Sequence, residues 1–387
     1  MSVVCSIFSQ ILQLFSRAEF QAAVDKHKAE RHARGFTCWG QFIAMLFCQL
    51  GRAHSLSEIT QGLAASEGKL KHLGLSEAPA KSTLAYANQH RPWELYQTVF
   101  FQLLKRCQAQ AGARQSKFRF RNKLVSLDAS IIDLCLELYD WARFRRTKGA
   151  VKLHQLLDHD GYLPSFAVLT DGKTHEIRVA RELRFDPGAI VVFDRGYTDY
   201  HWFESLSHQG VWFVTRMKDN ADFVVVEDRP VPAGKNILSD QVISLVQHAR
   251  EGKNLFFRRI VLRDEKNQRE LVFLTNHFKF AASTIAAIYK DRWQVELFFK
   301  SLKQLCKIKT FVGTSPNAVK TQVWTALIAM LLLRFLQLKA RFNWALSNLV
   351  ALLRQQLFVH RDLWTWIEQP FQAPSPPPAR QLPLAFA

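Results

Sequence analysis

The spacing of apolar positions changes along the chain, and each change predicts a different kind of element. Up to about residue 110 the pattern is helical. Gln41–Leu50 (QFIAMLFCQL) is an apolar run with few β-branched residues, as a buried helix requires. Ser55 or Ser57 can cap the next helix, which carries Ile59 and Leu63 on one side. Glycines follow at 62, 68 and 74, then Ser82–His90, a second short helix stopped by Pro92. Two short helices with a glycine-bearing connection fit a helix-turn-helix, and they also fit a plain helical bundle.

From Leu124 the texture is that of strands. Leu124–Asp128 is a short apolar run ending in an acid, and Val151–His154 and Pro164–Leu169 read as further strands. Ile190–Phe193 is apolar throughout and ends in Asp194, the pattern of a strand buried on both faces. Val211–Thr215 has the same style, with a helix expected around Trp202–His208. Between 217 and 276 short strand-like runs (Phe223–Val226, Leu255–Leu262, Glu270–Thr275) are separated by Pro230, Pro232, Gly234, Gly252 and a charged turn after Leu262. This reads as a β-rich insertion. Helix returns over Ala281–Lys309 and Pro316–Leu338, and the stretch after Gln369 is rich in proline and expected to be disordered. The expected division is a helical N-terminal domain over 1–115, an α/β core over 116–216 and 277–345 split by the insertion at 217–276, and a C-terminal segment over 346–387.

Charge narrows the function. With 52 Lys+Arg against 33 Asp+Glu the formal net charge is +19, which favours a polyanionic partner, a nucleic acid or an anionic membrane surface. The longest apolar run, Ala326–Leu333, falls short of the roughly 18–20 residues that span a bilayer. No signal peptide is evident, so a cytoplasmic chain without membrane partner is expected. The six cysteines are scattered without C-x-x-C spacing, which argues against zinc and for plain apolar roles.

The candidate chemistry lies in three acids. Tyr289, Arg292, Glu296 and Lys303 are spaced so that a continuous helix gathers them within about 60° of arc. Ile288, Val295, Phe298, Phe299, Leu302 and Leu305 fall on the other side. A solvated helix face would give the same stripe. Asp128 and Asp194, at the carboxyl ends of apolar strands, fall where functional groups gather in parallel sheets, although either acid alone also fits a turn or cap. Two aspartates and a glutamate offer hard oxygen ligands for Mg²⁺ or Mn²⁺. Two such ions about 4 Å apart can drive an in-line phosphodiester displacement without a protein nucleophile.

Tyr289-x2-Arg292-x3-Glu296-x6-Lys303, Asp194-Arg-Gly-Tyr, the preceding Asp128 and Ser82–Trp93 (STLAYANQHRPW) occur in the order of a known family. The chain resembles bacterial insertion-sequence DDE transposases of the insertion-sequence-four type, with their Y-R-E-K signature. The resemblance implies an RNase H-like core carrying a β-rich insertion, with Asp128, Asp194 and Glu296 as catalytic metal ligands. Mg²⁺ is the implied ion, with Mn²⁺ accepted. It further implies that Tyr289, Arg292 and Lys303 hold DNA phosphates. Trp293 and Arg195, beside these motifs, are candidate DNA contacts. The implied partners are the element's terminal inverted repeats and target DNA, with a homodimer in the synaptic complex. Some relatives stack a flipped base on a tryptophan in the insertion's last strand; Glu270–Thr275 holds none.

The segment Arg114–Lys123 (RQSKFRFRNK) interleaves cations, among them Lys117, Arg119 and Arg121, with Phe118 and Phe120. It fits DNA backbone contact with base stacking, or a solvated face with the phenylalanines turned inward. Arg143, Arg145, Arg146, Lys148 and Lys152 add to the charge, while His154 and His175 fit structural or surface histidines better than groups supporting the metal ligands. Rival readings are another RNase H-like nuclease and a catalytically inactive DNA-binding derivative of a transposase. The Tyr-Arg-Glu-Lys spacing disfavours the first, and the presence of all three acids disfavours the second.

Overall fold

A computed structural model describes residues 5–372, apart from 32, 34, 67, 112–116, 136, 146–147, 232–235, 247–249, 253–254 and 307–309. Arg114, Arg146, Pro232, Gly234, Lys309 and most of the proline-rich stretch lie outside the described residues, as do the side chains of Arg143, Arg145 and Lys148.

Helices come first: α1 (Ile7–Leu12), α2 (Arg17–Lys26), α3 (Cys38–Leu50), α4 (Leu56–Ala64), α5 (Leu70–Leu73), α6 (Lys81–His90) and α7 (Glu94–Ala111). Ser6, Ser16, Thr37 and Ser55 each accept the backbone N–H three residues on, satisfying a donor the first turn leaves unpaired. Ser55 is thus the cap of α4, and Ser57 lies inside it. α4 and α6 pack together, but residues 65–80, with α5 among them, separate the two. That connection is too long for the tight turn of a helix-turn-helix, so this part of the chain is a helical bundle.

The strands are β1 (Leu124–Leu134), β2 (Arg143–Arg145), β3 (Lys148–Asp158), β4 (Leu163–Asp171), β5 (Ile190–Phe193), β6 (Trp212–Arg216), β7 (Phe223–Asp228), β8 (Ile237–Leu245), β9 (Phe256–Asp264) and β10 (Arg269–Thr275). They form one mixed sheet in the order β2-β3-β1-β5-β6-β10-β9-β8-β7, with β4 on β3. β1, β5 and β6 run parallel; the other pairs are antiparallel. The expected insertion is therefore an extension of the central sheet, joined through Phe273 opposite Arg216. β8 (ILSDQVISL) lies outside the strand-like runs of the sequence: its polar residues interrupt the apolar pattern, and it is recruited by pairing with β7 and β9.

Two further expectations change. β1 does not stop at Asp128, because the hairpin partner β3 carries its pairing on to Leu134 opposite Gly149. The long helix expected from Ala281 is two helices, α10 (Ala282–Asp291) and α11 (Trp293–Leu305), which meet at Arg292. Between β4 and β7 stand α8 (Glu176–Glu182) and α9 (Tyr200–His208); after α11 come α12 (Pro316–Lys339), α13 (Leu346–Gln356) and α14 (Leu363–Glu368). α12 is long and apolar enough to cross a bilayer, yet 89% of its most apolar stretch is buried inside the protein. It packs on α3, α6 and α7 and also on α11 and β4, so one apolar core runs from the N-terminal helices to the sheet. A helix apolar on all sides is what such a central position requires.

Candidate active site

The parallel register of β1 and β5 places the aspartates. Their last paired residues are Leu127 and Phe193, so Asp128 and Asp194 each come one residue past the end of the pairing, on neighbouring strands. Alternation puts Leu124, Ser126 and Asp128 on one face. Leu124, Ile190 and Val192 bury that face against Ile285 and Ile288 of α10, which presents the α10–α11 junction to the acids. Asp194 begins a short 3₁₀ turn and accepts the Gly196 N–H at 2.9 Å. Asp128 accepts the Ala129 N–H at 2.8 Å.

Arg292 ties the third acid to the first. Its guanidinium donates to Asp128 Oδ2 at 3.2 Å and to Glu296 Oε1, one helical turn on, at 2.5 Å. The group lies 5.4 Å from the Tyr289 ring centroid and its side chain is only 10% exposed. Burial pushes the Asp128 carboxyl up to about 6; Arg292 and the Ala129 amide oppose this, and Glu296 and Asp194 add to it by repulsion. Burial also works against the Arg292 charge, but Tyr289, Asp128 and Glu296 outweigh it and hold the guanidinium above its ordinary pKa. A partly buried group of carboxylates that repel one another calls for a cation.

A family model for the transposase DDE domain matches residues 119–332, a stretch that contains all three acids. The chain belongs to the DDE transposases. A second family model, for a domain of unknown function (DUF4372), matches residues 5–76 of the transposase. It is 31% identical to y4zB of Sinorhizobium fredii, which carries a transposase name, over 76% of this chain and 81% of that protein. It is 29% identical to a protein of Geobacillus stearothermophilus named as the transposase of insertion sequence element IS5377, over 69% and 70% of the two chains. A solved piggyBac transposase synaptic complex with hairpin DNA matches at 8% identity and TM-score 0.44, over 95% of this chain and 81% of that one, below the level at which a shared fold is implied.

Transposases of this family work with divalent metal ions. Among the described residues no three His, Cys, Asp or Glu side chains converge tightly enough to chelate an ion as they stand. The donor set nonetheless fits, being all hard oxygen, and Arg292 is the cation that bridges two of its members in this structure.

The remaining residues divide. Lys303 Nζ donates to the Ile131 carbonyl at 2.7 Å and lines a cleft of about 490 Å³ with Asp128 and Glu296. Asp194, Arg292, Tyr289 and Trp293 line a second cavity of about 710 Å³, to which Arg216 and Arg269 add positive charge. Trp293 is 56% exposed there, free of the core. Arg195 is half-exposed and 3.3 Å from Asp219. Arg119 and Arg121 are exposed, whereas Lys117 pairs with Asp291. Phe118 and Phe120 stack on each other, and Phe120 on Phe280, half-buried against the apolar layer under α10, the arrangement that the inward-turned alternative describes. His154 is buried against Thr170, and His175 precedes α8 without capping it.

Sequence reasoning missed several neighbours. Glu176 Oε2 and Asp194 Oδ1 both lie 3.5 Å from where a Cβ on Gly196 would stand, and Glu176 also pairs with Lys152. Asp291, one residue before Arg292, is wholly buried in a hydrogen-bonded group with His159 and Tyr162. The signal available for that group was the turn His159-Asp-Gly-Tyr162, a loop rich in side chains able to reach a carboxylate.

Proposed function

We propose that Asp128, Asp194 and Glu296 carry the phosphoryl transfer of this transposase, cutting DNA at the ends of an insertion sequence and joining them to target DNA. The observation that supports this best is the register of β1 and β5, which sets the two aspartates side by side, with Glu296 linked to Asp128 through Arg292. Mg²⁺ is the proposed ion, with Mn²⁺ accepted; bound there, it would activate the attacking hydroxyl and stabilise the leaving oxygen. The protein's own groups supply the oxygen ligands and the cations around them. Arg292 and Lys303 stand next to the acids and are suited to hold the phosphate whose bond is broken. Arg216 and Arg269 on the cavity rim, with the exposed Arg119, Arg121, Arg195 and Trp293, suit the flanking backbone. Burial of Arg292 makes its charge effective, since screening by water is weak there.

On this reading 116–216 and 277–345 form an RNase H-like core of the insertion-sequence-four type, the strands of 217–276 are its insertion, and the helices of 1–115 contact the terminal repeats. The working assembly is a homodimer on paired ends, in the bacterial cytoplasm. Cleavage of end-containing DNA should require Mg²⁺ or Mn²⁺ and stop in Ca²⁺, whose larger and looser coordination positions oxygens poorly. Undiminished cutting in chelator would contradict the proposal.

A further inference from the structure

A group outside the three acids bears on how they are held. Asp291 ends α10 and its carboxylate is only 1% exposed. It accepts from His159 Nδ1 at 2.6 Å, from the Tyr162 hydroxyl at 3.0 Å and from Lys117. The other ring nitrogen of His159 is 2.6 Å from Ser126 Oγ. Ser126 stands two residues before Asp128 on the same face of β1. Serine, histidine and aspartate are thus linked in the order of a hydrolase triad. Ser126 is fully buried near the start of β1, however, and no substrate reaches its hydroxyl.

The turn that delivers His159 and Tyr162 is itself shaped for the purpose. Gly161 and Tyr162 both have positive φ, +87° and +54°. The left-handed conformation is ordinary for glycine and uncommon for a bulky residue, where surrounding structure must hold it. Here the tyrosine hydroxyl is held on Asp291. The anchored carboxylate sits one residue before Arg292, at the break between α10 and α11. Consecutive helical side chains diverge by about 100°. Asp291 therefore holds the β3–β4 turn directly, and the start of β1 only through His159, while Arg292 faces Asp128.

We infer that Asp291 is a positioning residue: clamped by His159, Tyr162 and Lys117, it fixes the α10–α11 junction against β1 and so sets where Arg292 and Glu296 meet Asp128. The inference rests on the reading of the three acids as the metal-binding site. Groups that orient metal ligands from behind typically contribute about 10- to 100-fold to activity when replaced.

The test compares wild type, Asp291→Asn and Tyr162→Phe in steady-state cleavage of end-containing DNA and in hydrogen exchange of the free protein. Asp291→Asn should lower kcat by about 10- to 100-fold with KM little changed, and should speed exchange in peptides around residues 288–298 while the rest of the sheet exchanges as before. Tyr162→Phe should move both readouts in the same direction by less. Wild-type kcat and exchange in a folded Asp291→Asn protein would overturn the inference, as would acceleration of exchange across the whole core, the mark of a merely structural role. Should Asp291→Asn fail to fold, Tyr162→Phe decides: slowed turnover with local exchange supports the inference, and wild-type behaviour overturns it. If wild type itself cuts no DNA, the reading of the acids fails, while the exchange data still judge the clamp.

Discussion

At the scale of single residues, the fold holds the Asp128 charge at a cost and favours that of Arg292 beside it. Burial holds the Asp128 carboxyl at about 6 in the folded protein, above its ordinary 3.8. Its contribution to stability is therefore full at low pH and is lost as pH rises from about 4 through 6. Asp128→Asn should accordingly stabilise the protein by about 2 kcal/mol at pH 7, a figure reduced from the full shift because the side chain keeps some solvent contact, with no gain below pH 4. Urea titrations at the two pH values check this, and equal stability at pH 7 would contradict it. The same variant should not cleave if Asp128 is the metal ligand proposed. If Arg292 holds a DNA phosphate as proposed, Arg292→Ala should weaken DNA binding and make its dependence on log salt shallower by about one. Fluorescence titrations of end DNA over a range of salt measure that slope; an unchanged slope would remove Arg292 from the DNA contact. The three acids and the basic stripe were legible because each sits in a local pattern, a strand end or a helical spacing. Asp291 was not, because its partners His159 and Tyr162 are 132 and 129 residues away in sequence, and only the fold brings them together.

At the scale of elements, placement of the aspartates depends on strand register, since a slip of one residue would turn either acid to the opposite face. Phe193, the last paired residue of β5, is locked among Trp202, Phe203 and Phe213. Phe193→Ala should cost about 3–5 kcal/mol of stability by leaving a cavity there, measured as a lowered urea midpoint. A loss under 1 kcal/mol would show that this aromatic cluster does not hold the strand. The apolar runs of β5 and β6 identified those strands correctly because both are covered on two faces. The true length of β1 was hidden, since Asp128, Ser130 and Asp133 break its apolar run and only the pairing with β3 continues it. The break at Arg292 was hidden for a different reason. Every residue from Ala282 to Leu305 suits a helix, and the interruption coincides with a tertiary anchor on Asp291.

At the scale of the whole molecule, the net charge of +19 is set against a cluster of three acids. The excess cations draw in DNA, and the acids repel phosphate until a cation compensates them. Binding and chemistry should therefore separate cleanly, and Glu296→Gln is the substitution that separates them. It keeps the size of the side chain and the helix and removes one anionic ligand. The most direct measurement is a gel shift and a cleavage assay run in parallel on end-containing DNA in Mg²⁺, comparing this variant with wild type. The account predicts that the Glu296→Gln protein shifts the DNA at least as tightly as wild type while its cleavage falls by about three orders of magnitude or more, because metal positioning supplies most of the transition-state stabilisation. Cleavage at the wild-type rate by Glu296→Gln would contradict the assignment of the active site.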